Sequence, residues 1–412
     1  MFFTATTQFG LEEVLAAELR QLGATIEHLG SRAVEFSGDK RLLYQTILWS
    51  RTAMRLLRPF ADFDAPHEQA LYDAVSALDW RKYIGPGQTF AITAVVSRSW
   101  SEHSLYLAQL TKDAIVDQFR ARTGERPSID TRNPDIRIHL RMLENEVILS
   151  LDAAGDSLHR RGYRQATNEA PLNEVLAAGL VLLSDWDQKS PLLDPMCGSA
   201  TLLTEAGLLA QRIAPGLLHQ GRFGFESWAD FDADLWQQVR AEAQAQRLSE
   251  PQAQLAGSDI DPRVIEQARL NVSAAGLTDC ISLTVADVRD ARPPEGLSPG
   301  IVLTNPPYGE RLGDEAEMDA LYKTIGDALK TNFQGYEAFI FTGNLAAAKR
   351  IGLKATRRVP LFNGAIDCRL LRFELYGGSR RVGSPPADLT PLTPLSRGEG
   401  GTSSSSSSKS DV

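Results

Sequence analysis

Apolar residues recur at helical spacing near the start of the chain. The stretch GLEEVLAAELRQLG places four leucines on one face and stops at Gly23, which predicts an amphipathic helix. Similar patterns predict strands at 25–29, 32–36 and 54–60 and a helix at 39–48. Together these elements predict a small α+β unit over residues 1–60.

A second α+β unit is predicted over residues 61–155. Its elements are helices at 68–78 and 105–122, a strand at 89–98, and a hairpin of strands 136–143 and 146–154. In the first hairpin strand, apolar Ile136 and Ile138 alternate with polar Arg137 and His139. This alternation is typical of a sheet with one side facing solvent.

Strand-like and helix-like segments alternate from about Leu172 onward. Such alternation predicts a parallel, doubly wound α/β sheet, which we place in residues 156–376. The last strand follows the Asn-Gly loop of LFNGAID, which favours an antiparallel strand at the sheet edge. Residues 377–412 are rich in Pro, Gly and Ser and include six consecutive serines, so we expect a disordered tail.

The composition is that of an ordinary globular protein. Of 412 residues, 43% are hydrophobic, and the net charge of −9 argues against a protein that coats nucleic acid non-specifically. The three cysteines are widely spaced, which favours neither a disulfide framework nor a structural zinc site. The sequence has no apolar run of about 18 residues and no secretory signal at its start. We therefore expect a cytoplasmic enzyme without a membrane or metal partner.

Four predicted parallel strands end in residues that suit a bound ligand. In doubly wound folds, ligands bind where the carboxyl ends of the strands meet. The four ends are DPMCGSAT at 194–201, GSDID at 257–261, ADV at 286–288 and TNPPYG at 304–309. The first is a small-residue turn before a helix, while the carboxylates of Asp259 and Asp287 suit two ribose hydroxyls and an adenine amino group. The phosphate-binding motifs GxxxxGK[ST] and GxGxxG are not found in the sequence.

Each of these ends also has a purely structural explanation. An aspartate after a strand is more often a helix N-cap than a ligand, and Asn-Pro-Pro-Tyr alone could be a rigid turn. The order and spacing of all four ends together favour a cofactor site.

The succession DPMCGSATLLTEA, GSDIDP, ADV and NPPYGERL resembles the Rossmann-like, S-adenosylmethionine-dependent amino-methyltransferases. The segments TTQFGLEEVLAAEL, KDAIVDQF, PDIRIHL and LHRRGYR extend the resemblance to the THUMP-containing bacterial enzymes that methylate guanine N2 of 23S ribosomal RNA. The resemblance covers about residues 1–375. It implies a ferredoxin-like region at 1–60, a THUMP RNA-binding domain at 61–155 and a methyltransferase domain at 156–376. Some members carry a second methyltransferase half, for which we see no room after residue 376.

The resemblance also implies a cofactor, a partner and binding residues. The cofactor is S-adenosyl-L-methionine, and the partner is 23S rRNA or a pre-50S particle. The residues implied for the cofactor are Asp194, Cys197, Gly198 and Ser199 on its methionine side, Asp259 at the ribose, Asp287 at the adenine, Pro171 and Glu174 near its amino-acid end, and Asn305.

Two positions depart from the pattern of the family. Ala200 stands where the family usually has the second glycine of GSGT, and Thr204 stands where a β-branched aliphatic residue is more usual. A methyl group at position 200 would crowd the cofactor or force a less free turn, so we expect weaker cofactor binding.

The Asn-Pro-Pro-Tyr segment suits the chemistry of an amine. The exocyclic amine of guanine is a poor nucleophile because its lone pair is delocalised into the ring. The Asn305 side-chain oxygen and the Pro306 carbonyl can accept hydrogen bonds from the amine and turn its lone pair toward the methyl group. Pro306 and Pro307 fix the backbone, and the Tyr308 ring offers a surface for a base that has left its stack. We therefore expect these four residues to be catalytic.

Local basic clusters are the candidate RNA contacts of this acidic chain. Arginine beside an aromatic residue suits phosphate contact and base stacking, although a solvated face is the alternative explanation. The candidates are Arg160, Arg161, Tyr163 and Arg164 in HRRGYR, and Lys349, Arg350, Arg357 and Arg358 further along.

Two other functions are compatible with the same residues. DNA adenine-N6 and protein glutamine methyltransferases can carry Asn-Pro-Pro-Tyr, although nothing in the first 155 residues suits them. A non-catalytic RNA-binding assembly factor is the other alternative, motivated by Ala200. The sequence leaves open which guanine is modified and the oligomeric state.

Overall fold

The structure, a computed structural model, describes residues 1–165, 172–294, 299–309 and 315–376. The strands are β1 Phe2–Thr6, β2 Thr25–Gly30, β3 Ala33–Ser37, β4 Arg55–Asp64, β5 Thr89–Ser97, β6 Ser128–Ile129, β7 Ile136–Leu143, β8 Glu146–Asp152, β9 Leu192–Asp194, β10 Leu255–Asp259, β11 Ile281–Val285, β12 Ile301–Thr304, β13 Glu337–Thr342, β14 Arg357–Asn363 and β15 Ile366–Glu374. The α-helices are α1 Glu12–Gln21, α2 Lys40–Trp49, α3 Glu68–Ala77, α4 Ser104–Thr123, α5 Glu174–Leu183, α6 Thr201–Ala210, α7 Ala233–Ala245, α8 Pro262–Ala274 and α9 Glu315–Asn332.

The first eight strands form one continuous sheet, in the order β2-β3-β1-β4-β8-β7-β5-β6. The ten-residue strand β4 joins the two units predicted from the sequence. Its first residues pair with β1, and from Leu57 to Asp64 it pairs with β8. Residues 1–60 and 61–155 therefore share a sheet.

The face of β7 that was expected to meet solvent is covered at His139. This side chain is buried, and burial, with Arg55 and Arg141 nearby, lowers its pKa to about 4. The short turn Gly224–Ser227 packs against β7 and β8. The prediction of a half-buried strand is therefore wrong at this position.

The turn belongs to an arm of the methyltransferase half that packs on the N-terminal half. Phe225 stacks on Tyr44 with ring centroids 4.6 Å apart, and Arg58 lies over the Trp228 ring at 4.0 Å. In the other direction, Leu11 of the N-terminal half is buried in the methyltransferase core. The two halves are thus interlocked by apolar contacts on both sides.

The second sheet has the order β11-β10-β9-β12-β13-β15-β14, and β9 to β13 are parallel. The last strand, β15, is antiparallel to β13 as predicted, but it is not at the edge. The edge is β14, which the sequence did not reveal. β11, β10, β9 and β12 are neighbours, so their carboxyl ends meet as expected.

In the described ranges, no helix is long and apolar enough to cross a bilayer. The tail at 377–412 lies outside them.

Candidate active site

Hydrogen bonds connect three of the four strand ends. Asp194, at the end of β9, accepts from the Thr304 hydroxyl at 2.7 Å and from the Met196 amide at 3.2 Å. The Gly198 amide donates to the Asp259 carboxylate at 3.1 Å. Asp194 is 2% exposed, so it aligns the loops after β9 and β12 rather than facing solvent.

Burial raises the pKa of Asp194 to about 7. Between about pH 4 and 7 the folded protein therefore holds a proton that the unfolded chain has released, and the free energy of unfolding falls as pH rises. Asp194→Asn keeps an acceptor oxygen but cannot ionise. Without cofactor, this variant is expected to lose less stability than the wild type between pH 5 and 8 in denaturant titrations. Parallel pH curves for the two proteins would contradict the assignment.

The loop after β9 contains two residues with positive φ. Gly198 has φ +53°, and Ala200 has φ +62° and ψ +29° in the left-handed region. An alanine there costs about 1–2 kcal/mol of strain, but its buried methyl returns about 0.8 kcal/mol of transfer free energy. The methyl packs into the apolar core under the sheet. The sequence predicts that Ala200 either crowds the cofactor or restricts the turn. The structure shows the restricted turn, and the Ala200 methyl does not line the cofactor cleft.

The other small residues of this loop turn their side chains inward. Cys197 and Ser199 are each 6% exposed, and burial raises the pKa of the Cys197 thiol well above its ordinary value. Thr204, one turn into α6, is fully buried and its hydroxyl has no hydrogen-bond partner among the described residues. A ligand in front of this loop therefore meets mainly backbone.

A cleft of about 220 Å³ opens at the ends of β9, β10 and β11. Its walls are Pro195, Met196, Asp259, Ile260, Ala286, Asp287, Val288, Arg289, Leu321 and Thr324. Ile260 is 67% exposed, which is unusual for a large apolar side chain beside carboxylates. The combination of an apolar wall and two acceptors fits the adenosine part of S-adenosylmethionine.

The two cleft carboxylates differ in how free they are. Asp259 accepts from the amides of Gly198 and Asp261, at 3.1 and 3.0 Å, and each oxygen retains acceptor capacity for ribose hydroxyls. Asp287 forms a two-pronged pair with Arg289, at 2.9 and 2.7 Å, and these hydrogen bonds hold the pKa of Asp287 below its ordinary value. The adenine role expected for Asp287 requires it to share its oxygens with this arginine.

Glu174 begins α5 and is buried, where it pairs with Arg164 at 2.7 Å. Arg164 also donates to the Leu172 carbonyl at 2.8 Å. The pair therefore fixes the start of α5. Pro171, expected beside Glu174, lies outside the described residues.

Asn305 and Tyr308 are joined by a hydrogen bond just after β12. The Tyr308 hydroxyl donates to Asn305 Oδ1 at 2.6 Å, which holds the amide in one orientation and leaves a second lone pair on its oxygen. The Tyr308 ring lies edge-on to Phe341, with centroids 6.4 Å apart, and burial raises its pKa. Pro306 is buried and Pro307 is exposed. The tyrosine thus positions Asn305, a role that the sequence did not indicate.

The HRRGYR segment corrects part of the RNA prediction. Arg161 is 4% exposed and lies 3.6 Å from Glu205, to which Tyr163, 1% exposed, donates at 3.0 Å. These two side chains, with the half-buried Arg164, hold the protein together because their charges and hydroxyl need buried partners. Only Arg160 of the four projects into solvent, where it pairs with Asp156 at 2.8 Å.

The second basic cluster is exposed but spread out. Arg350 pairs with Asp319, and Arg357 pairs with Asp185. Within the described ranges, Lys349 and Arg358 form no ion pair. Arg357 and Arg358 lie at the start of β14, about 20 Å from its other end, which reaches the catalytic edge. They are not close to Asn305, contrary to what one RNA-binding face would need.

Three site features were not found from the sequence: the Thr304–Asp194 bond, the Tyr308–Asn305 bond and the exposed Ile260. The position of Ile260 directly after Asp259, the last residue of β10, was the only available signal. Among the described residues, no three His, Cys, Asp or Glu side chains are placed to hold a metal.

Comparison with known proteins agrees with this geometry. Residues 161–372 match the RMKL-like methyltransferase domain, residues 65–152 the THUMP domain and residues 3–57 the RlmL ferredoxin-like domain. A Synechocystis protein named provisionally as an RNA methyltransferase, slr0064, is 43% identical over 91% of this chain and 97% of its own length. The ribosomal RNA large subunit methyltransferase K/L of Syntrophotalea carbinolica is 42% identical over 96% of this chain, which spans only 56% of that relative.

A solved structure also resembles the whole arrangement. SMU.472, provisionally named a methyltransferase and solved with S-adenosylhomocysteine, is 32% identical. It covers 92% of this chain and 99% of its own length, with a TM-score of 0.81. The chain therefore belongs to the RMKL-like methyltransferase family, with a THUMP domain, a ferredoxin-like domain and S-adenosylmethionine as its cofactor.

Proposed function

We propose that this protein methylates the exocyclic N2 amine of a guanine in 23S ribosomal RNA, on the free RNA or on a pre-50S particle. The THUMP match and the K/L relatives support an RNA substrate from the large subunit. The observation that carries the chemistry is the amide oxygen of Asn305, which Tyr308 fixes just after β12, the strand next to β9.

The cofactor supplies the methyl group on an electrophilic sulfonium. The chain's own task is to orient the amine. The second lone pair of Asn305 Oδ1 and the carbonyl of Pro306 accept the two amine hydrogens, which draws the nitrogen lone pair out of conjugation and toward the methyl group. The rigid Pro306-Pro307 backbone holds both acceptors in place, so that most of the rate gain comes from orientation.

Asp194 keeps this constellation in register with the cofactor. It receives the Thr304 hydroxyl, one residue before Asn305, while its own strand continues into the loop that faces the methionine part of the cofactor. The two reacting groups are thereby held by a single buried hydrogen bond between adjacent strand ends. The proton of the methylated amine passes to water, since the motif contains no histidine or paired carboxylate.

A second cleft, of about 520 Å³, offers a path for the RNA backbone. It lies beside the linker between the two halves, and its lining includes His159, Arg160, Asn173, His219 and Gln220. Arg160 is exposed there and pairs with Asp156, which also lines the cleft together with neutral polar side chains. An exposed arginine among hydrogen-bonding side chains can contact RNA phosphates, even though the chain as a whole is acidic.

The test is methyl transfer from labelled cofactor to unmodified 23S transcript, pre-50S particles, 16S transcript, duplex DNA and a release factor. We expect label in 23S RNA or the particles, recovered as N2-methylguanosine by mass spectrometry. Label recovered only as N6-methyladenine in DNA, or only in protein, would refute the proposal. Calorimetry with S-adenosylmethionine separates an enzyme from an assembly factor, because the latter would show no binding heat at millimolar cofactor.

A further inference from the structure

A loop of the N-terminal half reaches the catalytic edge of the methyltransferase sheet. It consists of Gln8, Phe9 and Gly10 and follows β1. The Gln8 side-chain amide donates to Asn173 Oδ1 at 3.0 Å, and Asn173 caps α5. Directly after the loop, Leu11 is buried in the methyltransferase core. The loop is therefore anchored on both of its sides.

Gly10 makes the close approach possible. Its φ is +86°, and a Cβ atom there would lie 2.7 Å from the Pro360 carbonyl and 2.9 Å from Leu361. Both contacts belong to β14, the edge strand. Because only glycine fits this conformation and this space, the loop is held against the edge in one position.

The anchored loop presents an aromatic pair at the surface. The rings of Phe9 and Phe362 meet edge to face, with centroids 5.4 Å apart and an interplanar angle of 85°. Phe9 remains 38% exposed, whereas Phe3 of the same half packs against Phe36 within the core. The pair is thus not part of the packed interior, and anchoring an exposed phenylalanine in this way has no evident structural purpose.

The pair lies at the end of β14 that reaches the catalytic edge of the sheet. Phe362 is followed by Asn363, whose side chain approaches the Tyr308 hydroxyl. That hydroxyl donates to Asn305. The turn between β14 and β15 also projects beyond the end of β13, at the edge where β12 ends. A base extruded toward Asn305 would leave its neighbours in the RNA at the same edge of the sheet as Phe9 and Phe362.

We propose that Phe9 and Phe362 form a stacking platform for a nucleobase that flanks the methylated guanine. The ferredoxin-like half then contributes directly to substrate recognition, in addition to any contact made by the THUMP domain. Aromatic faces suit single-stranded RNA because every base has a π-face to stack on them. The inference rests on the proposed RNA substrate.

The test compares Phe9→Ala, Phe9→Leu, Phe9→Tyr and Phe362→Ala in the full chain. The matched control is Phe2→Ala, which removes a 67% exposed phenylalanine at the opposite end of β1. We expect kcat/KM for unmodified 23S transcript to fall roughly 5- to 150-fold in the two alanine variants and in Phe9→Leu. For Phe9→Tyr and Phe2→Ala, kcat/KM is expected to stay within about twofold of wild type. The first keeps an aromatic ring at position 9, and the second leaves the Phe9–Phe362 pair unchanged.

Affinity for the same transcript, measured with S-adenosylhomocysteine present, is expected to follow the same order, while cofactor affinity stays unchanged. This binding assay needs no methyl transfer, so it tests the platform even if wild type fails to methylate RNA and the proposed function is lost. Equal RNA affinity and kcat/KM for Phe9→Ala and Phe2→Ala would overturn the platform, and would point to a protein contact at this pair. A leucine at position 9 as good as tyrosine would also overturn it, because apolar packing alone would then suffice.

Discussion

Asn305→Ala is expected to lower kcat for RNA methylation by about 10²- to 10³-fold, the range seen when one preorganised hydrogen-bonding group is removed from an active site. The variant loses a side-chain acceptor just after β12 whose oxygen is held in position by Tyr308. Affinity for S-adenosylmethionine is expected to change little, because Asn305 is not among the residues that form the walls of the adenosine cleft. Single-turnover kinetics and calorimetry measure the two effects separately.

Tyr308→Phe refines this result. The ring is retained and the hydrogen bond to Asn305 is lost, so a fall in kcat with an unchanged KM would identify the hydroxyl as a positioning group. Full activity in Asn305→Ala would contradict the mechanism outright. If that variant instead lost cofactor affinity to the same degree as activity, Asn305 would be acting on the cofactor and not on the amine.

Arg161→Ala is expected to lower the free energy of unfolding by about 3–5 kcal/mol, the usual effect of breaking a buried ion pair from one side. Arg161 donates to the carbonyls of Leu158 and Arg51 and neutralises the fully buried Glu205. Arg51 is also buried, which lowers its pKa to about 10, and it donates to the Ile213 carbonyl at 2.9 Å. Without Arg161, Glu205 loses the charged partner nearest to it.

The adjacent Arg160→Ala is the control for this measurement. Arg160 pairs with Asp156, but both side chains are at least half exposed, so the expected change is below about 1 kcal/mol. Urea unfolding of both variants compares them directly. Equal stability of the two proteins would mean that the Arg161–Glu205 contact contributes nothing beyond that of a surface pair.

Much of the methyltransferase half could be predicted because its signals are local. Alternating strands and helices imply a parallel sheet, and the strand ends follow from it; the sheet order confirms that they are neighbours. The edge strand β14 was missed because RRVPLFN mixes charges and a proline with few apolar residues. The antiparallel β15 was predicted, but its inner place depends on a partner strand that carries no local signal.

The errors share a cause, since burial is decided by distant segments. His139 alternates with apolar residues as an exposed residue would, yet it is buried in a strand against which a turn of the methyltransferase half packs. The sequence predicts Arg161 and Tyr163 as RNA contacts, but in the structure both are buried against Glu205, which is distant in the sequence. The same limit applies to Tyr308, whose contact with Asn305 depends on how the loop after β12 folds back.

The strand β4 has one more consequence for an RNA-modifying enzyme. Because it is hydrogen-bonded to both β1 and β8, the region matched as THUMP cannot rotate separately from the loop that carries Phe9. An RNA bound by the THUMP region would therefore reach the catalytic edge at a fixed distance from its binding site. The choice of the methylated guanine would then depend on its distance from the bound RNA segment more than on the nucleotide sequence around it.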